Sequence, residues 1–165
     1  MIVEIENEDY IAREIYAKYG LAIYYVQCLE TQVVNLMVAT KLKDRDRITR
    51  DEIDSFIEGN YKKTFGQLLN SLKKETNNSE EFSINFEEAK KVLDLRNFLV
   101  HHYFRERVTS FINEDGQKKM LSELDDFCNQ FEKIDGEFTS ITSSISHKYG
   151  ITDEMIQKEI EKLIK

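Results

Sequence analysis

The chain has 165 residues, enough for one domain that buries its own core without disulfides or metal. A charged fraction of 33%, no proline and only six glycines favour helices over sheet or disorder. Against 23 basic residues stand 31 acidic ones, a net charge of −8 that excludes charge-driven, nonspecific binding to long nucleic acid and confines any such contact to a local patch. Cys28 and Cys128 stand apart with no CxxC or zinc spacing, so they read as reduced core residues of a cytoplasmic protein. The opening MIVEIENEDY is too acidic for a signal peptide, and no stretch approaches the ~18 apolar residues of a membrane span, so a soluble chain without membrane contact is expected.

From Asp9 to about Leu42 apolar residues recur at helical spacing (Ile11, Ile15, Tyr19, Ala22, Val26, Leu29, Val33, Leu36), predicting one helix of ~50 Å with Gly20 as a kink or close packing point. The run KLKDRDRITR that follows, Lys41 to Arg50, suits either a solvated helix C-terminus or a phosphate-steering loop. Thr49 with Glu52 and Thr64 with Gln67 are capping-box patterns, each opening a short amphipathic helix. After the polar segment Glu75 to Ser83, Asn85 with Glu88 opens a further helix expected to run to about Val108. From about Gly116 to His147 the set Met120, Leu124, Phe127, Phe131, Ile134, Phe138, Ile141 and Ile145 forms a heptad-like seam. Gly150 ends that helix, and Thr152 starts an amphipathic tail with Met155, Ile156, Ile160, Leu163 and Ile164. Long helices with one apolar stripe each predict an all-α, antiparallel up-and-down bundle: four main helices, short extra ones, and residues 152–165 as a helical extension of a single domain over 1–165.

The segment RNFLVHHYF, Arg96 to Phe104, departs from this pattern of cores and caps. On a helix the neighbours of Arg96 are Ala89, Val92, Leu93, Leu99, Val100 and Tyr103, all apolar or aromatic. A guanidinium stays charged, so in that stripe it must meet a buried acid, a partner chain or an anionic ligand. Leu95 and Phe98 add apolar surface outside the stripe, which a dimer interface would cover. Arg96 and His101 stand five residues apart, about 140° around an ideal helix, whereas Asn97 and His101 share a face. Two copies crossing at a two-fold axis would gather two arginines and two histidines. One neutral imidazole can then take the proton of a ribose 2′-hydroxyl, another can protonate the leaving 5′-oxygen, and arginine can stabilise the phosphorane, with no metal or other cofactor.

The run resembles the R-x4-6-H signature of the HEPN superfamily, all-helical proteins that include many metal-independent endoribonucleases. Arg96, Asn97, His101 and Tyr103 are similar to the R-N-x3-H-x-Y form of HEPN toxins paired with minimal nucleotidyltransferase antitoxins. The resemblance implies a homodimer that cuts single-stranded RNA in a toxin–antitoxin or phage-defence setting, with Arg96, Asn97 and His101 catalytic. Tyr103 would be the site of silencing by adenylylation, and a nucleotidyltransferase-type antitoxin the partner. His102 also fits the spacing; it lies four before Glu106, with Arg105 in reach, and His101 is preferred as the base because it shares a face with Asn97. The alternative is a catalytically silent HEPN-like dimer that binds a partner protein or nucleotide, which the net charge of −8 favours.

Overall fold

A computed structural model describes residues 7–77 and 79–164, and every regular element among them is helical. The predicted elements appear in order: α1 (Asn7–Ala39), a 3₁₀ turn (Leu42–Asp44), α2 (Arg50–Tyr61), α3 (Phe65–Thr76), α4 (Phe86–His101), α5 (Tyr103–Glu106), α6 (Val108–Phe111), α7 (Glu114–Lys148) and α8 (Asp153–Ile164). Both capping boxes form: Thr49 and Thr64 each accept from the backbone N–H three residues on, while Glu52 and Gln67 reach back. One expected boundary is wrong. The helix opened at Asn85 ends at His101 instead of about Val108, and the chain continues in two single-turn helices.

The chain divides into two compact units. The first comprises the chain up to Leu29 with Glu87–Asp135, the second Glu30–Phe86 with Gly136–Lys165, so α1 and α7 contribute to both. In the first unit α4 runs antiparallel to α7: Lys133 meets Glu88 at 3.3 Å, and further along Tyr103 donates to the Met120 carbonyl at 3.3 Å. α1 runs in the direction of α7, with Lys18 on Asp125 at 2.5 Å and the Tyr25 hydroxyl bonded to the Glu132 carboxylate. The result is an up-down-up packing whose core is Ile15, Ala22, Val26, Leu29, Ala89, Val92, Leu99, Met120, Leu124, Phe127, Phe131 and Ile134.

In the second unit Phe65, Leu68, Leu69 and Leu72 of α3 are buried, as are Val33, Leu36, Met37, Phe138 and Ile145. The basic run is held there by specific bonds: Lys41 reaches Glu75 at 2.7 Å, and Arg45 donates to the Tyr149 carbonyl at the end of α7. Gly150 follows with φ +79, and the Ile151 N–H bonds the Ser146 carbonyl, the left-handed helix stop that glycine adopts without steric penalty. No side chain of α8 is buried, so its apolar residues lie exposed.

By length and composition α1 would suffice to cross a membrane: an apolar window of mean hydropathy 1.2 lies within Tyr10–Asp44, which corrects the expectation that no segment comes close. Of that window 39% is buried, and the core helix of a globular protein meets the same test.

Gly20 does not mark close packing, because a Cβ there would meet nothing within 4 Å, and α1 continues through it as one helix. Gly116 is the opposite case: a Cβ in this first turn of α7 would run into the backbone of Ser110. Gly20→Ala is therefore expected to stabilise the fold by about 0.5–1 kcal/mol through helix propensity, and Gly116→Ala to destabilise it by about 1–3 kcal/mol through overpacking. Urea denaturation of the two variants beside the parent checks both signs.

Candidate active site

All residues of the motif belong to the first unit. The stripe of α4 is buried at Ala89, Val92 and Leu99 and continues to Tyr103, and Arg96 falls in phase with it. Arg96 is nevertheless only half-buried, and its Nη1 donates to Oδ1 of the adjacent Asn97 at 3.2 Å. Val100, expected in the core, is instead 40% exposed. His101 is exposed in the last turn of α4, where the helix dipole favours a cation. Phe98 finds its cover inside the chain, edge-on to Tyr103 and Phe127 with the Arg107 guanidinium 5.2 Å from its ring centroid, so it does not call for a dimer.

His102 takes a non-helical backbone, φ −130 and ψ −24, and caps the start of α5. Its ring makes no pair with Glu106; Arg105 Nη2 lies 2.7 Å from Nδ1. The imidazoles of His101 and His102 meet edge-on with centroids 6.3 Å apart.

Tyr103 turns inward. Its side chain is 1% exposed, stacks with Tyr19 at 5.9 Å and closes against Phe127 and Phe104. Burial, together with the nearby Glu123 carboxylate, pushes its phenol well above the ordinary range. The hydroxyl proposed as the modification site is thus a core group, and adding AMP to it would require the ring to leave its packing.

Arg107, which the sequence did not single out, anchors this geometry. Its Nε and Nη2 donate to the two carboxylate oxygens of Glu123 at 2.9 and 2.5 Å, and its guanidinium lies over Phe98 and Tyr103. Periodicity offers no signal for a pair that joins α5's end to α7.

The structure thus brings His101, His102 and Arg105 together at the end of α4, while Arg96 and Asn97 pair with each other about one turn earlier in the helix, in a protein of net charge −8. Such a cluster can bind an oxyanion and move a proton. Among the described residues no group of three or more His, Cys, Asp or Glu side chains is arranged to hold a metal ion. Comparison with protein-family models, curated proteins and solved structures finds no match to this chain.

The tyrosines yield a pH test. Bonding to Glu132 raises Tyr25 from 10.0 to about 12, and Tyr103 is raised as well. A folded-state pKa above the unfolded one gives stability that is complete below pH ~10 and is lost as the pH rises through the folded value. Stability should therefore fall from about pH 10 toward 12, less steeply in Tyr25→Phe. Phenolate absorbance and denaturant midpoints across that interval check it; an equal fall in the variant would contradict the assignment.

Proposed function

We propose that this protein is a metal-independent endoribonuclease of toxin–antitoxin or phage-defence type that cuts single-stranded RNA in the cytoplasm. The carrying observation is the half-buried Arg96, bonded to Asn97, with the exposed His101 one turn beyond on the Asn97 face. His101 takes the 2′-hydroxyl proton, the 2′-oxygen attacks phosphorus, and the 5′-oxygen leaves with a proton from a second imidazole. Arg96 stabilises charge on the phosphorane, and Asn97 orients the guanidinium. The ends left are a 2′,3′-cyclic phosphate and a 5′-hydroxyl.

A homodimer supplies the second imidazole. In its support, the first unit leaves apolar side chains uncovered near the motif: Val100 beside His101, then Val108 and Ile112, 60% and 79% exposed. A nucleotidyltransferase-type antitoxin is the proposed partner, and any AMP transfer to Tyr103 first needs α5 to open. The burial of that hydroxyl makes masking of the His101 face the simpler route to silencing.

RNA should be cut in the presence of EDTA and DNA spared. His101→Ala should slow cleavage roughly a hundred- to ten-thousand-fold and Arg96→Ala about a hundred- to a thousand-fold, with circular dichroism confirming that both variants fold. Sedimentation should give twice the 19.5 kDa chain mass. Intact RNA with dimeric protein would leave a silent module that binds a partner protein or nucleotide.

A further inference from the structure

We propose that Arg105 is a positioning residue that holds the neutral imidazole of His102 in its Nε2–H tautomer. His102 then serves as a hydrogen-bond donor to a phosphate oxygen, and proton transfer is left to His101. The phosphate role rests on the ribonuclease proposal above; the tautomer does not.

The Arg105 guanidinium stands 2.7 Å from Nδ1 of His102. A guanidinium has five N–H donors and no acceptor, and it does not lose its proton in a protein, so Nδ1 must present its lone pair. A neutral imidazole has one N–H and one lone pair. With the lone pair engaged at Nδ1, the proton sits on Nε2. That ring can donate outward but has no lone pair left to take a proton from a 2′-hydroxyl.

The backbone holds the arrangement in place. The His102 N–H bonds the Phe98 carbonyl at 2.9 Å, and its own carbonyl accepts from Glu106 at 3.0 Å. One residue on, Tyr103 is locked in the core, and the Arg107–Glu123 pair fixes the end of α5. Arg105 therefore projects from a short helix anchored on both sides of the ring that it contacts. His101 bears no comparable constraint, being exposed and edge-on to His102 at 6.3 Å. The two histidines, indistinguishable by spacing, differ in what their lone pairs are free to do.

Long-range proton–nitrogen NMR of histidine-labelled protein near pH 8, where an ordinary imidazole with a pKa of about 6.5 is neutral, reads the tautomer without RNA. The parent should show a single Nε2–H form at His102. Arg105→Lys, which keeps a cationic donor, should preserve it, and Arg105→Ala should release a mixture. An Nδ1–H form in the parent, or an unchanged pattern in Arg105→Ala, would overturn the proposal.

Cleavage separates the roles. A glutamine amide can donate a hydrogen bond but cannot shuttle a proton, so His102→Gln should stay within about threefold of the parent while His102→Ala falls ~10–100-fold. His101→Gln should fall as far as His101→Ala. If His102→Gln is as inactive as His102→Ala, His102 moves a proton and the donor role is wrong. If the parent leaves RNA intact while the tautomer follows Arg105, the ribonuclease proposal and the phosphate role both fail, and the positioning by Arg105 stands.

Discussion

The two-point bond between Arg107 and Glu123 is the constraint on which the geometry of the motif depends. Its partners are about a quarter exposed, 28% and 27%, so the charges are screened less than those of a surface pair, and the guanidinium is covered by Phe98 and Tyr103. Removing the carboxylate would strand a half-buried cation over two aromatic rings. Because Arg107 closes α5 while Glu123 sits on α7, the pair ties the chain that follows α4 to a long helix already anchored by Met120, Leu124 and Phe127. With Tyr103 in the core, that tie holds the chain beyond the helix break at His102 against α7.

The break sorts three consecutive residues by environment. His101 is exposed, His102 half-buried at a cap, and Tyr103 inside. Burial of Tyr103 gives the fold a large aromatic anchor, worth several kcal/mol by analogy with truncation of other buried aromatics. The same anchor leaves His101 in the last turn of α4, where the dipole favours a cation, with His102 and Arg105 just beyond it. In a chain of net charge −8 that concentration of donors is local.

Much of the fold was legible in the sequence because its signals are local. The capping boxes at Thr49 and Thr64, the seam of α7 and the stop at Gly150 each depend on residues within a turn or two of one another. The break in α4 was not, because Ala89, Val92, Arg96, Leu99 and Tyr103 keep one phase straight through it, and the bond that anchors the chain beyond it joins residues 16 apart, Arg107 and Glu123. The same error put Glu106 opposite His102, since the four-residue rule assumes a helix that the cap at His102 interrupts. Arg96 was placed in the stripe correctly by phase, and its Nε is buried there, although the side chain as a whole is only half-buried and its Nη1 bonds the neighbouring Asn97. The exposure of α8 could not be read from an amphipathic pattern that normally signals a packed face.

Hydrogen–deuterium exchange on Glu123→Gln most directly tests whether the Arg107–Glu123 pair sets the site. The amides of Glu106 and Arg107, bonded to the carbonyls of His102 and Tyr103, should lose protection together, and the imidazole resonances of His101 and His102 should shift. Amides in the buried middle of α7 should exchange as in the parent. Unchanged protection at Glu106 and Arg107 with unmoved histidine resonances would show that the turn at His102 holds without the ion pair, and would contradict the account.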